Sequence, residues 1–344
     1  MALSYRATNG GDANIADLIE RLRPLERWTR TPEVIDDGAG HTGLYTLPAG
    51  LADPVLVSAS GGIGGKLKIA IATGKHDVIG RDVVATCIND LVASGARPLF
   101  FVHHLACGKL DLDLVEQVVS GIAAACRNAG CPLVGGETAE LAGTYVDGQY
   151  DVAGFAVGAV SRGAMLGRER LMPGDHLVAV ASSGLHAEGH VLAKKVFEQD
   201  MCLWLGEHVE ELGCTVGEAL CEPTRIYAAA VDSLRNALGD GLRALCHVSS
   251  GGIGASVGRL LPEGVQARVD LDSFERPALF RLIAEGGKLT EDEMRSNFNL
   301  GVGLIAVVAG DQSFAAVEAL ESAGEAAWIF GDIRQAEKSG VVFT

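Results

Sequence analysis

Hydrophobic and polar positions along this chain alternate between two grammars. Short apolar runs rich in Val, Leu and Ala, bounded by Gly, Pro or Ser, predict strands at Pro54–Ser58, Pro98–His103, Pro132–Val134, Tyr150–Val160 and His176–Ala181. Between them, apolar residues three and four apart predict helices at Asp82–Ser94 and Asp111–Arg127. In the second of these, Leu114, Val118, Ile122 and Cys126 form a core stripe, Asp111 and Asp113 suit the positive N-terminal dipole, and Gly130 suits the stop. Residues 1 to about 50 read as irregular apart from a short helix near Ile15–Leu22, and they carry a glycine-rich stretch at Gly38–Gly43. A turn at Pro173-Gly-Asp175 precedes a second run of strand, glycine loop and helix. The pattern predicts an α/β (α+β) protein with an N-terminal segment 1–50, a first domain over 51–165 and a second over 172–338.

The Asp82–Ser94 helix separates its residues sharply. Val84, Cys87, Ile88 and Leu91 share one face, while Asp82, Thr86, Asn89 and Asp90 gather elsewhere within an arc of roughly 100°. Such a polar stripe reads first as a solvated face; two acids and an amide can also hold Mg²⁺.

Length and composition narrow the function. A chain of 344 residues, 48% hydrophobic and 21% charged, is long enough for two cores. No apolar run reaches the roughly 18 to 20 residues of a spanning helix, and the N-terminus lacks a signal-peptide core, so the expectation is a soluble, cytoplasmic protein without membrane partners. A formal net charge of -16 repels a polyphosphate backbone and argues against nucleic-acid binding, but one small anion can still be held by local Lys, backbone N–H groups or Mg²⁺. The 8 cysteines have neither zinc-knuckle nor disulfide-framework spacing and read as small core residues. The 45 glycines cluster after strand-like segments, pointing to backbone-lined loops.

Four such loops can carry chemistry. Ser60-Gly-Gly-Ile-Gly-Gly-Lys66 lets backbone N–H groups at Gly62 and Gly64 approach an anion while Lys66 supplies charge. In Gly135-Gly-Glu-Thr-Ala-Glu140, Gly135 and Gly136 permit close approach beside Thr138, and Glu137 can share a metal with Asp90. Ser182-Ser-Gly-Leu-His-Ala-Glu-Gly189 offers Ser182, Ser183 and His186 ahead of the helix that contains Lys195. His247-Val-Ser-Ser-Gly-Gly-Ile-Gly254 precedes another helix with Gly251 and Gly252 at its start. A single glycine loop is as readily a tight turn as a ligand site. Four in register with strand ends argue for a site.

Several segments together carry a resemblance over nearly the whole chain. They include His76-Asp-Val-Ile-Gly80, Cys87-Ile-Asn-Asp-Leu91, Gly108-Lys-Leu-Asp111, Val134-Gly-Gly-Glu-Thr-Ala-Glu140, Tyr150-Asp-Val-Ala-Gly-Phe155, Pro223-Thr-Arg-Ile-Tyr227 and Phe298-Asn-Leu-Gly-Val-Gly303. In these the chain resembles the phosphoribosylformylglycinamidine cyclo-ligase (aminoimidazole ribonucleotide synthetase) family. The resemblance implies a homodimer of two-domain chains paired through the N-terminal sheets, with ATP and Mg²⁺ as cofactors and a ribonucleotide-like small molecule as substrate. It further implies that Asp90 and Glu137 hold Mg²⁺, that Asn89, Lys66 and the glycine loops line the ATP phosphates, and that His186 sits beside the transferred or leaving groups.

The ligand loops also depart from the family pattern. Gly61 and Gly65 stand for an Asp and a Thr, His103 for an Asp, Glu188 for an Asn, and Ser249-Ser250 for Thr-Gly; the N-terminal patterns are blurred to Gly10-Gly-Asp12 and Ala39-Gly-His41. His41, His103 and His104 can form a different polar pocket, although each alone reads as a surface or strand-end histidine. Three functions follow: the family's cyclo-ligase, a sibling enzyme that uses ATP to activate another amide or acid, and a non-catalytic dimeric paralogue.

Overall fold

The computed structural model describes residues 5–8, 12–35 and 42–344. The chain divides into two compact units: the residues up to Leu91 with Ala96–Ala164, and Val92–Gly95 with Met165–Thr344. The Gly38–Gly43 stretch up to His41, like Gly10 and Gly11, lies outside the described residues.

The first unit is built on a sheet of β1 (Tyr5–Thr8), β2 (Pro54–Gly62), β3 (Arg97–Cys107), β4 (Leu133–Glu140) and β5 (Tyr150–Ser161), in the order β1-β4-β3-β5-β2. Strand β4 runs parallel to β1 and β3, whereas β5 is antiparallel to β3 and β2. Its helices are α1 (Asp12–Thr29), α2 (Gly65–Thr73), α3 (His76–Ala93) and α4 (Leu112–Asn128). Along β3, Phe101, His103 and Leu105 are buried while Val102 and His104 are half-exposed, the two-residue alternation of a sheet covered on one face. On the covered side, Val83 of α3 comes within 3.0 Å of where a Cβ on Gly154 would lie.

Three elements differ from the pattern-based expectation, each for a physical reason. Helix α3 begins at His76, six residues early, because Gly80 is a crossing point and not a stop: a Cβ there would lie 1.9 Å from the Val118 carbonyl oxygen of α4, and one on Gly121 would lie 1.9 Å from that of Asp77. Helix α1 runs on past Leu22 and through Pro24. Its end is tied down by Thr29, whose hydroxyl donates to the Glu26 carbonyl at 2.8 Å and accepts the Leu133 N–H at 2.9 Å. Strand β4 continues through Gly135-Gly-Glu-Thr-Ala-Glu140, because strands on both sides supply hydrogen bonds that the isolated segment cannot show.

The second unit carries β6 (His176–Ala181), β7 (Leu242–His247), β8 (Val265–Val269), β9 (Val302–Val308), β10 (Ala327–Gln335) and β11 (Gly340–Phe343), in the order β7-β9-β6-β10-β8-β11. Neighbours are antiparallel except β8 and β11. Every residue of β9 is buried, as expected of an apolar run covered on both faces. Helices α5 (His190–Lys195), α6 (Ala228–Leu238) and α7 (Gly252–Gly258) belong to the same unit. Six of the eight free cysteines are buried, and burial pushes the Cys107 thiol to about 11 and that of Cys87 to about 12, so these are inert core groups. No helix among the described residues is long and apolar enough to cross a membrane.

Candidate active site

In the first unit the lysine expected to meet phosphate turns inward. Gly61 and Gly62 are the last residues of β2, Gly64 caps α2, and Lys66 lies in the first turn of that helix. Its side chain is fully buried, with Nζ 2.6 Å from Oδ2 of the equally buried Asp82 on α3. This internal ion pair joins α2 to α3. The polar stripe of α3 is likewise no solvated face, since Asp82 and Asn89 are both 0% exposed, Thr86 is partly exposed and Asp90 is open to solvent. Helix α3 is buried nearly all round, from Val83 to Leu91, so its polar positions are enclosed along with its apolar ones.

The Gly-Gly-Glu-Thr motif lies within β4, beside β3. Gly135 stands opposite Val102, Gly136 opposite His103, Glu137 opposite His104 and Thr138 opposite Leu105. His103 points into the covered side, where a Cβ on Gly136 would lie 2.4 Å from its ring. Burial, with His104 next to it, lowers the His103 imidazole to about 4, so it is neutral at neutral pH. The strand-end reading of His103 is thus corrected to a core histidine accommodated by a missing side chain. His104 emerges on the other side, its Nδ1 3.8 Å from Glu137 Oε2, with both side chains partly exposed. Among the described residues no three His, Cys, Asp or Glu side chains gather as a metal cluster. A cavity of about 410 Å³ opens at the end of β3, lined in part by Cys107, Lys109, Asp111, Asp147, Gln149 and Tyr150; it contains none of the expected site residues.

In the second unit the Ser182–Gly189 loop leaves β6 and is held by its neighbours. Ser182 Oγ donates to the Gly184 carbonyl at 2.9 Å, Ser183 Oγ to the Pro223 carbonyl at 2.6 Å, and Asn299 Nδ2 to the Gly184 carbonyl at 2.9 Å. Both serine hydroxyls, expected to face an anion, spend their protons on this scaffold. His186 is 2% exposed at φ 59°, and its Nε2 lies 3.2 Å from the Ser183 backbone N. Its ring centroid is 6.2 Å from that of Tyr227 and 6.2 Å from that of His247. Tyr227 donates its hydroxyl to the Ala181 carbonyl at 2.8 Å. Gly303 on β9 makes room for this layer, since a Cβ there would lie 1.9 Å from the Tyr227 hydroxyl and 2.6 Å from His186 Cε1. Burial pushes the Glu188 carboxyl up, opposed by His247. Gly251 and Gly252 take φ 85° and 67°, and Gly252 packs so closely on the Arg295 carbonyl that a Cβ would lie 2.0 Å away.

The sequence reading missed Asp82, Tyr227, His247 and Asn299 as parts of these clusters. Tyr227 and Asn299 did stand in the family-like segments Pro223–Tyr227 and Phe298–Gly303, where a polar residue amid apolar ones was the available signal.

The two-unit architecture with these glycine-lined strand ends matches two family descriptions, "AIR synthase related protein, N-terminal domain" over residues 49–160 and "AIR synthase related protein, C-terminal domain" over 172–344. The chain belongs to the AIR synthase related family. Within it, the chain is 51% identical over 334 residues to the phosphoribosylformylglycinamidine cyclo-ligase of Sorangium cellulosum (strain So ce56), covering 97% of this chain and 96% of that protein. In fold it is similar to thiamine-monophosphate kinase from Stenotrophomonas maltophilia K279a (TM-score 0.70, 22% identity, 94% and 95% of the two chains). It is also similar in fold to HypE of E. coli (TM-score 0.64, 19% identity, 95% and 93%).

Proposed function

We propose that this protein is an ATP-dependent cyclo-ligase of purine biosynthesis that closes formylglycinamidine ribonucleotide to aminoimidazole ribonucleotide and releases ADP and phosphate. The observation that carries the reading is the 51% identity, spread over 97% of the chain, to a curated cyclo-ligase. In this reaction ATP phosphorylates the amide oxygen of the substrate; the amidine nitrogen then attacks the activated carbon, and phosphate leaves. Catalysis of this kind depends on positioning and on neutralising charge.

Asp90, exposed on α3, and Glu137, partly exposed on β4, are the carboxylates we assign to Mg²⁺. Two carboxylates without a closed cage suit an ion that keeps most of its ligands from water and nucleotide phosphates. Backbone N–H groups at Gly62, Gly64 and along β4 are assigned to the phosphates. Lys66 is assigned to holding α2 on α3, and Asn89 and Thr138 to supporting the strand ends from the interior. We further propose that the enzyme is cytoplasmic and works as a homodimer, paired through the outer face of the first sheet, where Leu56 and Phe155 are 65% and 43% exposed.

The test is ADP release at saturating Mg-ATP with and without formylglycinamidine ribonucleotide. Strictly substrate-dependent ADP formation is expected. ADP formed with another amide or acid but not with this ribonucleotide would assign the chain to a sibling activity, an outcome that the altered residues Gly61, Gly65 and His103 make worth the control. No ADP with any substrate would leave a non-catalytic paralogue.

A further inference from the structure

A histidine and a carboxylate are set side by side on the first sheet by strand register alone. His104 of β3 and Glu137 of β4 are direct neighbours on parallel strands, so both side chains leave the same face, opposite to that of the buried His103. Strand β4 is paired to β1 along its other edge and β3 to β5, which fixes the roots of both side chains. His104 Nδ1 lies 3.8 Å from Glu137 Oε2, and the two side chains are 44% and 43% exposed. The gap is too long for a hydrogen bond. Neither side chain has another polar partner among the described residues.

Such a gap fits a shared cation. Two ligand atoms on one tetrahedral or octahedral ion, with bonds of about 2.1 Å, stand roughly 3.0–3.4 Å apart. Rotation of two half-exposed side chains closes the remaining few tenths of an ångström without moving either strand. The neighbours leave the rest of the coordination sphere open. Ala153 lies across from His104 on β5, and one step along the pair to either side stand Ala106 with Ala139 and Val102 with Gly135. Water or phosphate oxygens can take those positions. The apolar residues assigned to dimer pairing, Leu56 and Phe155, stand on β2 and β5, so the pair on β3 and β4 lies to one side of them.

The donor set discriminates between ions. A carboxylate serves Mg²⁺ and Mn²⁺ alike, but Mg²⁺ takes oxygen ligands and gives up water reluctantly, whereas imidazole nitrogen suits the first-row transition ions. We infer that His104 is a second ligand of the ion assigned to Glu137, and that this site therefore prefers a first-row transition ion, with Mn²⁺ as the probe, to Mg²⁺. That the ion also meets a nucleotide rests on the cyclo-ligase reading; the nitrogen ligand and the preference do not.

The test is pulsed EPR of Mn²⁺ bound to tag-free protein labelled with ¹⁵N-histidine, with and without ADP. The label separates imidazole nitrogen from the ¹⁴N of the adenine ring. We expect a directly coordinated ¹⁵N that disappears in His104→Gln. Mn²⁺ affinity, read from the EPR signal of the free ion, should fall about tenfold or more in that variant, and Mg²⁺ should displace Mn²⁺ from the unsubstituted protein only at about tenfold excess or more. Mn²⁺ with oxygen ligands only, a ¹⁵N coupling that survives His104→Gln, or equal affinity for the two ions overturns the inference. None of these readouts needs turnover. A chain that releases ADP strictly with formylglycinamidine ribonucleotide but shows only oxygen ligands keeps the proposed function and loses this inference; a His104-dependent nitrogen in a chain that never releases ADP does the reverse.

Discussion

His103 shows how one residue can couple the fold to pH. Its imidazole titrates at about 4 in the folded chain, against about 6.5 for an unfolded histidine, because burial disfavours the cation. Between those two values the unfolded chain binds the extra proton, so stability is complete above about pH 6.5 and declines as pH falls towards 4. From pH 7 to pH 5 this one group should cost about 2 kcal/mol. His103→Leu should remove that part of the decline, seen as a shallower fall in Tm between pH 7 and 5 by differential scanning calorimetry; an unchanged slope would show that His103 is solvated. Its role was only half legible in the sequence. A histidine in an apolar strand could be recognised, but alternation alone does not say which face is buried, and the glycine that admits the ring lies 33 residues away on β4.

At the scale of elements, the Lys66–Asp82 pair joins α2 to α3 inside the first unit. Removing one partner leaves an uncompensated buried charge, so Lys66→Met or Asp82→Leu alone should destabilise by about 3–5 kcal/mol in urea unfolding. The double variant should recover most of that loss, since an apolar pair needs no compensation. Additive losses would mean that the two side chains do not meet in solution. The sequence conveyed element types well: the strands from Pro54, Pro98, Tyr150 and His176 and the helix after Asp111 were read from local periodicity, which burial of one face imposes. It failed where a distant partner decides. Gly80 continues a helix because it crosses α4 at Val118, Gly135 and Gly136 continue a strand because β1 and β3 flank them, and Asp82 of α3 is buried because Lys66 meets it. The acceptors of the Ser182-loop hydroxyls, the loop's own Gly184 and the distant Pro223, were not legible for the same reason.

For the whole molecule, helix α3 packs on one face of the first sheet. Leu56 of β2 and Phe155 of β5 lie on the other, the same side as Val102 and His104. Leu56→Glu should convert the proposed homodimer to monomers in light scattering and leave the folded chain's CD spectrum intact, because Leu56 is exposed in the single chain; a dimer that survives would place the pairing surface elsewhere. A longer consequence follows from the imidazole seated over Gly136. Any side chain at 136 collides with His103. Position 136 is therefore not free to drift alone. Among descendants of this chain, position 136 should stay glycine for as long as 103 is bulky, and a lineage that shrinks residue 103 first would be the one able to lose it.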